Sequence, residues 1–136
     1  MNELLEVILN DSEIECGGSL EMRRLMLYNH NLKEAGLAEL PEDLMRFLHQ
    51  ANGIWFDGAS IFGAEPASGL FTDIMSANLD LNRKDRDKVL VLGEDENDFL
   101  IYNEVIESYQ IIDKIDGMVG AKYATIKEAV EHILKI

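Results

Sequence analysis

The sequence predicts an α+β domain, with a largely antiparallel sheet packed by helices on one side. Three observations carry this. Apolar residues recur at helical spacing through much of the first fifty positions. Short runs rich in β-formers then crowd residues 89–124. Finally, Thr125-x-x-Glu128 is a capping box that opens one last helix. Helices, then strands, then a terminal helix is the order of a segregated α+β fold.

Along the chain, Leu4, Leu5, Ile8 and Leu9 predict a short opening helix that stops near Asn10-Asp11-Ser12. Gly17-Gly18 breaks the chain and Ser19 is placed to cap a second helix, which Gly36 ends. Pro41 suits the first position of a third, since that position needs no backbone donor. Glu42 and Asp43 then put negative charge at the positive end of the helix dipole. Leu44, Phe47, Leu48 and Ala51 form one apolar stripe, and Asn52-Gly53 is read as a left-handed cap. Asp57-Gly58 between Ile54-Trp55-Phe56 and Ala59–Phe62 signals a tight hairpin. Residues 63–69 read as a loop, and Asp73–Leu81 as a short helix with Ile74, Ala77, Asn78 and Leu81 at helical spacing. Arg83–Lys88 is a charged turn. Val89–Leu92, Phe99–Tyr102, Tyr109–Asp113 and Met118–Ala124 are strands, and Ile126, Ala129, Val130, Ile133 and Leu134 give the final helix its buried face.

A chain of 136 residues that is 47% hydrophobic suits a single domain, residues 1–136, with its own core. No apolar run exceeds four residues, far short of the roughly 20 a membrane helix needs. The acidic N-terminus without basic residues predicts no secretory signal. A single cysteine, Cys16, predicts a reducing compartment and hence a cytoplasmic protein. Net charge is −14, and the first 68 residues hold 12 of the 26 acids. The acidity is therefore spread over the folded body. Such a surface repels nucleic-acid phosphates and anionic membranes and attracts basic partners.

Chemistry is harder to find. Gly53–Ser60 has the glycine spacing of a phosphate loop, but Ala59 stands where the lysine is required. His30, His49 and His132 are scattered over three helices, with no ligand spacing for zinc. Cys16 has no catalytic signature around it. Glu94-Asp95-Glu96-Asn97-Asp98 joins two strands and lacks the glycine of a calcium loop. No cofactor, metal or catalytic residue is expected. Trp55 and Phe56, beside Asp57, are candidate interface anchors, because aromatic residues dominate binding hot spots.

Leu40-Pro41-Glu42-Asp43-Leu44 with Phe47-Leu48 and Asn52-Gly53, followed by Val89-Leu90-Val91-Leu92-Gly93-Glu94-Asp95 and Phe99-Leu100-Ile101-Tyr102, resembles the SUKH superfamily, the Smi/Knr-type domain. Tyr109–Asp113 and Thr125–Leu134 fit the same order. The stretch from Asn52 to Gly63 looks closest to the YrhA-like branch, and the resemblance covers roughly residues 20–136. It implies a non-catalytic bacterial immunity protein that neutralises a secreted toxin, nuclease-type and basic, by binding and occluding it. Partner-binding residues are then expected among Trp55, Phe56, Asp57, Glu94, Asp95, Glu96 and Asp98. Three alternatives stay open. The chain is a scaffold resembling the cell-wall-assembly regulators; or it is an enzyme, with an acid of the Glu94–Asp98 cluster beside a histidine in a pocket; or Trp55 and Phe56, exposed together, form a homodimer patch.

Overall fold

The computed structural model of the protein describes residues 2–65 and 72–136. Among these, the elements run α1 (Asn2–Asn10), β1 (Glu15–Cys16), α2 (Met22–Glu34), α3 (Glu42–Gln50), β2 (Ile54–Phe56) and β3 (Ala59–Ile61). Then follow α4 (Ile74–Leu81), β4 (Val89–Glu94), β5 (Asp98–Asn103), β6 (Ser108–Asp113), β7 (Val119–Tyr123) and α5 (Ile126–Leu134). The fold is α+β. All seven strands join one antiparallel sheet whose spatial order is the chain order, β1 to β7. No helix among the described residues is long and apolar enough to cross a membrane.

Side-chain alternation sorts the sheet into two faces. Leu90, Tyr102, Tyr109 and Tyr123 lie in one cross-strand row, with Leu100, Ile111 and Ala121 two residues along on the same face. Helix α5 packs on this face against β3, β6 and β7, and it also touches α3. Its Ile126, Ala129, Val130, Ile133 and Leu134 are all buried, as their spacing predicts. Burying each of the larger four, Ile126, Val130, Ile133 and Leu134, contributes roughly 2 kcal/mol. Asp43 pins the near end of α5. Its carboxylate accepts from Ile126 N at 2.9 Å and from Tyr109 Oη at 2.5 Å, so one side chain joins α3, β6 and α5.

Two buried asparagines close gaps that the strands leave. Strand β3 pairs with β4 only at Gly93 and Glu94, after which Phe62 N reaches the Leu92 carbonyl. Beyond that point Asn78 of α4 substitutes for a strand. Its amide donates to the Val91 carbonyl and accepts from Val91 N, both at 2.8 Å, and it also donates to the Ile74 carbonyl. Asn52 plays a similar part, taking Ala64 N at 2.7 Å. The chain passes so close here that a Cβ on Gly17 would stand 1.9 Å from the Asn52 carbonyl oxygen. Near α4, buried Tyr28 donates to Asp73 Oδ2 at 2.7 Å and accepts from Met75 N. Burial and that bond push the Tyr28 hydroxyl well above its ordinary range. Burial also works to raise the Asp73 carboxyl, but bonds from Ser76 and Tyr28 outweigh it and hold the group below its usual value.

Several local expectations are corrected. Helix α2 begins after Glu21, not Ser19, and no side chain caps it. Pro41 is the N-cap in extended conformation, with Glu42 as the first helical residue. Helix α3 ends at Gln50 with Ala51 as its cap. Asn52 is therefore not a left-handed cap; it is buried because its side chain is needed at Ala64. Leu81 is 41% exposed and not part of the buried face of α4. Strand β1 was not expected at all, since two residues carry no readable period. Of the expected 63–69 loop, residues 66–69 lie outside the described residues.

Replacing Asn78 with leucine strands the N–H and C=O of Val91 inside the protein. Urea denaturation of Asn78→Leu is expected to show a loss of about 2–3 kcal/mol. A loss under about 0.5 kcal/mol would mean that water reaches Val91.

Candidate functional site

In a chain-order sheet, alternate turns fall at the same end. The β2–β3 turn (Asp57-Gly58), the β4–β5 turn (Asp95–Asn97) and the β6–β7 turn (Lys114–Met118) therefore share one end of this sheet. Asp57 and Gly58 have φ of 49° and 83°, a type I′ turn that matches strand twist. Asp95 Oδ1 accepts from Asn97 N and Asp98 N at 2.9 and 2.8 Å, folding the second turn about its own side chain. Asp113 Oδ1 does the same for Ile115 N and Asp116 N, and Asp116 Oδ1 takes Met118 N. Turn chemistry thus accounts for these aspartates. It does not account for Glu96, which is exposed and makes no side-chain hydrogen bond among the described residues.

Asp98 also exceeds what folding needs. It stands directly across from Asp113 in the β5–β6 register. Like charges so placed oppose pairing. Burial first, then the Asp95 and Asp113 charges, push the Asp98 carboxyl above its ordinary value, against an opposing pull from His132 and Lys135. Carboxylates of Asp57, Glu94, Asp95, Glu96, Asp98, Asp113 and Asp116 thus collect at one end of the sheet. Lys114 answers one of them: its ammonium meets Glu94 Oε1 at 2.6 Å and lies 5.1 Å from the Phe99 ring centroid.

Within this end a cleft of about 450 Å³ opens between two turns and α5. Half-buried Phe56 and the buried Ala59, Ile133 and Leu134 border it, and Asp57, Asp95, Glu96 and Lys135 supply its charge. Helix α5 stops there in a Schellman turn: Lys135 is left-handed (φ 58°), Lys135 N bonds the His132 carbonyl, and Ile136 N bonds that of Glu131.

The seven residues expected to bind a partner divide accordingly. Phe56, Asp57, Asp95 and Glu96 meet in the cleft. Asp98 lies behind Asp95 on the same rim. Glu94 is taken up by Lys114. Trp55 is exposed and Phe56 half-buried, and both border a small hollow with Glu13 and Asp57. Neighbours in a strand point to opposite faces, so Trp55, 37% exposed, looks away from the cleft while Phe56 looks into it. Phe56 being half-buried, the two are not fully exposed together as the homodimer expectation supposes. Sequence reasoning missed Asp113, Asp116 and the α5 end; the usable signal was the alternation of turns in a meander.

No three carboxylate, imidazole or thiol groups among the described residues converge as metal ligands. His132, the histidine near the acidic rim, is not in the cleft wall; its Nδ1 is 2.5 Å from Tyr123 Oη.

A raised carboxyl binds its proton more tightly folded than unfolded, so ionising Asp98 works against the fold as pH rises through and above the ordinary carboxylate range. Asp98→Asn is therefore expected to stabilise the protein at pH 7 by up to about 0.5 kcal/mol after solvent screening. The gain should vanish once the pH falls below the unfolded carboxyl value. Urea titrations across that range check it; a gain independent of pH would remove the charge explanation.

No protein-family model matches the chain, and no curated protein or solved structure matches it significantly.

Proposed function

We propose that this chain is a SUKH-like, cytoplasmic bacterial immunity protein that binds a basic, nuclease-type toxin and occludes it without catalysing a reaction. The observation that carries the reading is the gathering of carboxylates from three alternate turns at one end of the sheet. A nuclease must hold phosphates, so its working surface is rich in Lys and Arg. An anionic protein end set against that surface covers the substrate site and is steered onto it by charge. Asp98 supports the same reading. Its charge adds to the anionic rim although it opposes the local strand pairing. Lys and Arg number 12 against 26 acids over the whole chain, a balance that disfavours nucleic-acid phosphates as the ligand.

Co-purification from the native host tests this. At about 50 mM salt a basic nuclease-type protein should be retained and its activity lost, and at about 500 mM it should be released, because the screening length shrinks severalfold. Retention that ignores salt, or a set of acidic partners, would overturn the electrostatic reading. Several envelope or signalling enzymes in place of one toxin would instead support the scaffold alternative.

A further inference from the structure

Asn52-Gly53 is the one asparagine–glycine pair in the chain. In an unfolded chain such a pair is chemically reactive. Glycine has no Cβ to shield its amide nitrogen, so that nitrogen reaches the side-chain carbonyl carbon of the asparagine before it. Here two neighbouring segments hold the pair. The Asn52 side-chain oxygen accepts from Ala64 N at 2.7 Å. Asn52 N donates to the Gly18 carbonyl at 2.8 Å, and Gly17 N donates to the Gly53 carbonyl at 2.9 Å. The Gly53 N–H, whose nitrogen would have to attack, donates to the Ala51 carbonyl at 3.0 Å. Asn52 is 7% exposed. Two glycines press on it. A Cβ on Gly63 would stand 2.8 Å from Asn52 Oδ1, and one on Gly17 would overlap the Asn52 main-chain oxygen.

We propose that Asn52 is a deamidation site that the native packing holds shut and that local opening of residues 17–18 or 63–64 releases, in one direction only. In the opened chain Gly53 N gives up its proton and attacks Asn52 Cγ. A C–N bond forms, and the Cγ–Nδ2 bond breaks as ammonia leaves with that proton, giving a five-membered succinimide. Water then opens the ring. Cleaving the bond from the ring nitrogen to Cγ gives aspartate. Cleaving its bond to the main-chain carbon gives isoaspartate, in which the chain runs on through Cβ and Cγ. Neither product refits. Aspartate puts a charge where the group is buried and where Ala64 N is the one side-chain donor among the described residues. Isoaspartate lengthens the chain by a methylene and turns the old main-chain carbonyl into a carboxylate, against which Gly17 leaves no room for another atom. Chains that linger open are thereby marked and kept from closing again.

The full chain is incubated in mildly alkaline buffer at a series of urea concentrations, from none to fully denaturing. Peptide mapping by mass spectrometry reads aspartate and isoaspartate at position 52, and amide exchange at Ala64 reads the opening. Conversion should be at least about 100-fold slower in the native chain than in the unfolded one, because it tracks the open population. Between those limits it should rise in step with Ala64 exchange. Gly63→Ala, whose added methyl pushes on Oδ1, should speed native conversion about 10-fold and leave the rate in denaturing urea unchanged. Asn52→Asp, the charged product made directly, should unfold at lower urea than the parent. Equal rates in native and unfolded chains, no conversion in denaturing urea, or a native rate indifferent to Ala64 exchange would each overturn the proposal. An unchanged urea midpoint for Asn52→Asp would overturn its one-way character.

Discussion

The Asp43 carboxylate is the tie on which the arrangement of this domain depends. Three separate parts of the chain meet at it: the first turn of α3, Tyr109 near the start of β6, and the first N–H of α5. An N–H at a helix start has no partner within its own helix, and Asp43 supplies one from 83 residues away. Burial and the bond to Asp43 keep the Tyr109 hydroxyl protonated, so it remains a donor. With its first turn anchored and its apolar face laid on the sheet, α5 can end in only one place. That place is the cleft. The far end of the helix is thus positioned by a carboxylate at its beginning.

Elements with a period or a turn signal could be read directly from the residues. The stripe of Leu44, Phe47 and Leu48, the Asp57-Gly58 hairpin, the strands from Val89 onward and the Thr125 cap all stand where the sequence put them. What escaped was interaction between distant segments. Asn52 looks like a helix terminator beside Gly53, but its role is set by Ala64 and by the close passage of Gly17. Asn78 sits at helical spacing among apolar residues, and only the shortness of β3 explains why an amide is buried there. The candidate site was half readable for the same reason. Asp57 and the Asp95–Asp98 run stand out as charges, whereas their meeting with α5 follows from topology.

Local folding and surface charge agree in part of the acidic end and conflict in another. Aspartates 95, 113 and 116 each fold a turn with one oxygen, which leaves the other facing water at no extra conformational cost. A hairpin built this way presents negative charge as a by-product of its geometry. Asp98, set opposite Asp113, has no such justification. The contrast separates carboxylates that the backbone requires from those that it merely tolerates. Glu94 belongs to neither group, since it is paired with Lys114, whose ammonium lies over the Phe99 ring.

Strand order that equals chain order has a kinetic consequence. Strands β4 to β7 pair only with their immediate neighbours in the chain, so this half can assemble hairpin by hairpin with short loops to close. Joining β1 to β2 is different, because Glu15 must find Trp55, and the Tyr109–Asp43 bond spans 66 residues. Nascent chains emerging from the ribosome therefore expose the helical half first, without the meander that will cover it. The last hairpins form quickly once synthesised, and the slow search of folding is the docking of an early-made helical layer onto a late-made sheet.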